Sequence, residues 1–127
     1  MEEMKIKKYL GVDWGEKRIG LALGDSENKI ATPFKVVESL SALVEVIEKE
    51  KIDVIVLGLP KKMNGDQDLN PKFTSFFELL KAKVKTEIVL FDERLTSVQA
   101  DTLKVKKIKQ ERDAISAMLI LQNYFDC

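Results

Sequence analysis

Tyr9-Leu10-Gly11-Val12-Asp13-Trp14-Gly15-Glu16-Lys17-Arg18-Ile19-Gly20-Leu21-Ala22-Leu23 holds two apolar arms around a polar turn. Residues 9–12 and 19–23 are the arms, and Gly15 can supply the positive φ of a tight turn. The stretch reads as a buried strand, a turn, and a second strand running back beside the first. Asp13 stands where the first strand ends. Asp followed two residues later by Gly is ordinary turn chemistry. The sharper reading is a metal-binding carboxylate on the stiffest strand of the fold, where a hard cation would be held accurately. The rest of the chain has to decide between them.

Working outward, residues 29–37 read as a third strand, and Pro33 places it at a sheet edge, where a missing N–H donor is tolerated. Leu40, Leu43, Val44 and Ile47 mark one face of a helix over 39–50. Residues 53–58 form an unbroken apolar run ended by glycine, as in strands covered on both faces. A turn-rich loop then leads to Asn70-Pro71, an N-cap followed by proline at the first helical position. Phe73, Phe76, Phe77, Leu80 and Val84 are that helix's apolar stripe, read as core packing. A fifth strand covers 88–91, and Thr96 with Gln99 is a capping-box pattern that starts another helix. The last helix is expected over 111–125. The order β-β-β-α-β-α-β-α-α predicts an α/β fold. It is a mixed five-stranded sheet, three antiparallel strands followed by parallel ones, with helices on both faces. One domain is expected over residues 1–127.

Composition removes several chemistries. The chain has 127 residues, 45% of them hydrophobic, and 21 basic residues balance 21 acidic ones. A neutral balance argues against a nonspecific nucleic-acid coat, which is usually strongly basic. There is no histidine, so imidazole acid–base catalysis and His-ligated zinc are excluded. The lone Cys127 offers no disulfide framework. No apolar run reaches membrane-spanning length, and the charged start does not read as a signal peptide. A soluble, cytoplasmic protein is expected, with no membrane partner.

The remaining catalytic candidates are carboxylates. In α/β sheets, functional groups gather at the carboxyl ends of strands. Asp13 ends the first strand, Glu93 lies just past the fifth, and Asp113 falls in the first turn expected for the last helix. Helix-dipole stabilisation would explain Asp113 alone. Ser116 and Ala117 continue its face, however, and their small size would let this turn approach the sheet. Three such acids suit Mg²⁺ or Mn²⁺ and phosphodiester hydrolysis. Strand alternation sets Asp92 opposite Glu93, and Glu93 is the preferred ligand. Lys17, Arg18 and Arg94 could reach a nucleic-acid phosphate. Lys106, Lys107, Lys109 and Arg112, in a basic run with Lys104, lead into Asp113 and could do the same. Each also has a plain reading as a solvated or ion-paired residue.

Four segments together resemble the YqgF family. They are the stretch 11–20, Gly58-Leu59-Pro60 through Met63-Asn64-Gly65, Asp92-Glu93-Arg94-Leu95-Thr96-Ser97, and the tail from Asp113-Ala114-Ile115-Ser116-Ala117 onward. The resemblance implies a ribonuclease H-like fold and a cytoplasmic nuclease, with Asp13, Glu93 and Asp113 at the family's acidic positions. Such proteins are described as Holliday junction resolvases and as nucleases maturing the 5′ end of pre-16S rRNA. The rRNA role is preferred, with an rRNA precursor or branched DNA as partner, a possible ribosomal subunit contact, and a monomer or weak homodimer. Trp14 departs from the family's usual turn residue and could offer a stacking surface. The stretch from Ala100 to Asp113 looks short for the family.

Two rivals stand beside this reading. The Gly11-x-Asp13-x-Gly15 hairpin also resembles the phosphate-binding hairpin of actin- and hexokinase-like ATPases, which need a second domain that has no room here. A non-catalytic nucleic-acid-binding module of the same fold is the other.

Overall fold

The computed structural model describes residues 5–60, 71–92 and 109–127, with side chains in the last segment from Asp113 onward. The elements are β1 (Lys8–Asp13), β2 (Ile19–Asp25), β3 (Thr32–Val37), α1 (Leu40–Lys49), β4 (Val54–Leu59), α2 (Pro71–Lys83), β5 (Glu87–Asp92) and α3 (Lys109–Asp126). The helix expected from Thr96 lies outside the described residues.

The strands form one sheet in the order β3-β2-β1-β4-β5. β1, β2 and β3 pair antiparallel, and β4 and β5 join β1 in parallel. This is the mixed sheet that the pattern of strands and helices predicts. Pro33 sits on the edge strand opposite Ala22, where the β2–β3 register shifts. β3 starts at Thr32, three residues later than expected. The residues before it are taken up by a turn in which the Asp25 carboxylate accepts from the backbone N–H groups of Glu27 and Asn28. Lys29 leaves that turn with φ of 56°. Such a left-handed backbone cannot continue a strand.

Alternation along the strands splits the interior in two. Leu10, Val12, Leu21, Ile55 and Leu57 face α1 and α2, where Leu43, Ile47, Phe73 and Leu80 close the larger core. Ala22 and Val56 face α3, which covers them with Ala117, Ile120 and Leu121. Ser39 caps α1, its hydroxyl accepting from the Ala42 N–H at 3.1 Å. Gln122 fastens α3 to the β2–β3 connection. Its Oε1 accepts from the Ala31 N–H at 2.8 Å, and its Nε2 donates to the Lys29 carbonyl at 3.0 Å.

At the end of β1 remote from Asp13, Lys8 Nζ donates to Glu50 Oε1 at 2.8 Å. This bond, aided by the charges of Lys8, Lys49 and Lys35, outweighs desolvation and holds the Glu50 carboxyl below its ordinary value. A carboxyl lowered in the folded state stabilises above its unfolded value, and the effect vanishes as pH falls through the folded value. Glu50→Gln should therefore melt slightly below the parent protein at pH 7. The gap should close under acid, as thermal melts across the carboxylate range would show.

Candidate active site

The site is built on the face of the sheet that α3 covers. Along β1, Leu10 and Val12 point to the larger core, so Tyr9, Gly11 and Asp13 point toward α3. Gly11 confirms the direction. A Cβ there would lie 2.8 Å from both the Ala117 carbonyl oxygen and Leu121 Cβ. Asp13, half-buried at the strand's end, pairs across the ladder with Gly20. A Cβ on Gly20 would run into the backbone carbonyl of Asp113. Asp113 is thus packed directly over the residue beside Asp13, although 100 positions separate the two acids.

Two local readings change. α3 begins at Lys109, so Asp113 lies in its second turn, beyond the strongest part of the helix N-terminal field. Its partner is instead Arg18, whose Nε donates to Asp113 Oδ2 at 3.1 Å with both side chains largely covered. Gly15, for its part, does not adopt a positive φ. It is needed because a Cβ there would come within 2.7 Å of the Arg18 carbonyl oxygen. The turn is tight by close approach, and it delivers Arg18 to the mouth of the site.

The fifth strand sets the direction of Asp92. Ile88 packs into the larger core, whereas Phe91 packs toward α3, edge-on to Tyr124 at 6.1 Å. Asp92 follows Phe91 and therefore projects to the face opposite Asp13. It pairs with Leu59, which packs against the larger core. Glu93, Arg94, Lys104, Lys106 and Lys107 lie outside the described residues, as does the Met63-Asn64-Gly65 loop. Lys109 and Arg112 occupy the first turn of α3, immediately before Asp113.

Lys17 is exposed in the β1–β2 turn. Trp14 is not a free stacking surface. Alternation sends it away from Asp13 into the larger core, T-shaped on Phe73 at 5.6 Å and tilted on Phe76 at 6.1 Å. It anchors the end of β1 to α2.

The donor chemistry fits a hard divalent cation. Asp13 and Asp113 supply oxygen alone, without imidazole or thiolate, and the Asp113 carboxylate already holds a cationic group. Among the described residues no three Asp, Glu, His or Cys side chains gather closely enough to enclose a metal. A third protein ligand would have to come from beyond them. None of the helices in the described residues is long and apolar enough to cross a membrane.

Known proteins resemble this chain along nearly its whole length. A family profile described as RuvX, Holliday junction resolvase, matches residues 7–127. A relative from Maridesulfovibrio salexigens is 38% identical over 130 residues, covering 92% of this chain and 96% of the relative. One from Endomicrobium trichonymphae is 34% identical over 135 residues, covering 95% and 96%. Both are named, provisionally, as pre-16S rRNA nucleases. Among solved structures, T. thermophilus RuvC in complex with a Holliday junction substrate superposes with a TM-score of 0.62 at 11% identity, covering 94% of this chain and 93% of that one. At that identity the likeness is one of fold, and the fold is ribonuclease H-like.

Proposed function

The chain belongs to the RuvX, Holliday junction resolvase, family, and on that footing we propose that it is a nuclease hydrolysing phosphodiester bonds at Asp13 and Asp113, with pre-16S rRNA as substrate. The observation that carries the reading is the placement of Asp113 across Gly20 from Asp13, on one face at the carboxyl end of β1. A turn acid or a helix-end acid alone does not require such a meeting. The names of the relatives favour the rRNA precursor. The activity is assigned to one domain over residues 1–127, acting in the cytoplasm.

Asp13 and Asp113, with Glu93 as third acid, would hold Mg²⁺ or Mn²⁺. When bound, such a cation neutralises developing charge on the phosphate and acidifies a water. The protein's own contribution is placement. Asp13 ends the central strand, paired with Gly20 on β2, and the residues just before it, Tyr9 to Val12, are held by β4 as well. Lys17, Arg18, Arg94, Lys106, Lys107, Lys109 and Arg112 supply positive charge for the nucleic-acid backbone, which implies binding that weakens as salt rises.

The family description favours a second reading, resolution of branched DNA. That activity needs a two-fold dimer to cut both strands symmetrically. The two are separated by incubating the protein with a 5′-extended 16S rRNA precursor and with a four-way DNA junction, each with Mg²⁺, Mn²⁺ or EDTA. Metal-dependent cutting of the RNA alone is expected. Symmetric junction cutting alone would move the assignment to the resolvase. Binding of either without cutting would make the protein a recognition module.

A further inference from the structure

The Asp113 carboxylate, proposed above to hold a metal ion, is engaged by the guanidinium of Arg18. Oδ2 of Asp113 accepts from Arg18 Nε at 3.1 Å, so a guanidinium and a metal ion would compete for the charge of one carboxylate. The pair spans 95 positions in sequence and is largely shielded, with side-chain exposures of 25% and 30%. Both ends are firmly mounted. Asp113 rests on Gly20, and Arg18 follows a turn closed by Gly15 against its own carbonyl. Only the side chains are left to move.

We propose that Arg18 is an exchangeable placeholder for the divalent cation. In the metal-free protein it neutralises Asp113 beside the second acid, Asp13. A divalent cation takes over Asp113 and releases the guanidinium, whose donors then meet a phosphate of the nucleic acid. This rests on the reading of Asp13 and Asp113 as metal-holding acids. It adds that metal and nucleic acid bind cooperatively through one residue, which alternates between a carboxylate and a phosphate.

The chemistry of the residue supports the exchange. Guanidinium is weakly hydrated and matches carboxylate and phosphate with the same planar donor set, so it can pass between them at little cost. Placing it against Asp113 also avoids the repulsion of two carboxylates on adjoining elements. Linkage makes the effect reciprocal: whatever metal does for nucleic-acid affinity, nucleic acid does for metal affinity.

The test is binding without turnover. Mn²⁺ affinity is measured calorimetrically, free of nucleic acid, for the parent protein, Arg18→Gln and Lys17→Gln. Lys17→Gln removes a neighbouring charge that does not touch Asp113, and so gauges the general effect of charge. Removing the placeholder should tighten Mn²⁺ binding by roughly five- to tenfold, well beyond Lys17→Gln, a coupling of ordinary allosteric size. RNA affinity is then measured with and without Ca²⁺, and the gain from Ca²⁺ should shrink by a similar factor in Arg18→Gln. Circular dichroism and thermal melts establish that each variant is folded, and Arg18→Lys provides a second variant that keeps the charge but lacks the planar donors. Unchanged or weaker Mn²⁺ binding in Arg18→Gln, or a gain no larger than that of Lys17→Gln, overturns the placeholder while leaving the metal site standing. No Mn²⁺ binding by the parent protein at millimolar concentration overturns both.

Discussion

Asp13→Asn should abolish cleavage while leaving the protein folded. Asn keeps the volume of the side chain, and the strand remains paired with Gly20 on one side and with β4 on the other. The melting temperature should move by no more than a few degrees, and RNA binding should persist. What is lost is an anionic oxygen at the point where a divalent cation would be gripped. If the cation supplies several kcal/mol of transition-state stabilisation, losing its hold slows the reaction by about a thousandfold or more. Asp92→Asn is the informative contrast. Asp92 is the same residue type at another strand end, but it projects to the opposite face. It should keep most of the activity in single-turnover cleavage assays. Equal losses in the two variants would mean that the site is not confined to the α3 face.

Gly20→Ala should be among the most destabilising single-methyl additions available to this fold. The new Cβ would collide with the Asp113 carbonyl, and two backbones must then part. Overpacking a rigid site typically costs 1–3 kcal/mol, and the upper end, about 3 kcal/mol, is expected here. For a chain of this size that corresponds to a fall of roughly 10 °C in Tm. Gly58→Ala gives the scale. Its Cβ would meet Ile120 Cδ1 at 2.6 Å, the far end of a side chain that can rotate away, and about 1 kcal/mol is expected. Denaturant titration of both variants measures the difference. Gly20→Ala should also weaken Mn²⁺ binding, because α3 carries Asp113 away from Asp13 as it lifts.

Much of this was legible in the residues themselves. Period-two apolar arms, an unbroken buried strand and the edge proline led to the mixed sheet, three antiparallel strands and then parallel ones, because burial imposes those patterns directly. Small Ser116 and Ala117 forecast a close approach of the last helix. The sequence also held a sign of where that helix would lie, in Gly20, Ala22 and Gly24 on one face of β2, but alternate small residues state only that something is near. The Arg18–Asp113 pair was illegible for another reason. It joins residues 95 apart, and nothing local distinguishes an arginine that meets a carboxylate from one that meets solvent. Trp14 misled in a similar way, since an aromatic after a strand looks like a platform until the Phe73 side of α2 is seen to cover it.

The way Asp113 rests on Gly20 also sets a clock. A ribosome delivers β1 and Asp13 first, then the other strands, and α3 after all of them. Until that last segment leaves the exit tunnel, the glycine-lined groove has no cover and the first acid has no counterpart. On the proposed site, a nascent chain therefore lacks one of the two acids, however well its hairpin has formed. For an enzyme proposed to cut RNA from the ribosome, made by ribosomes, that delay keeps the blade sheathed until α3 has emerged and folded onto the sheet.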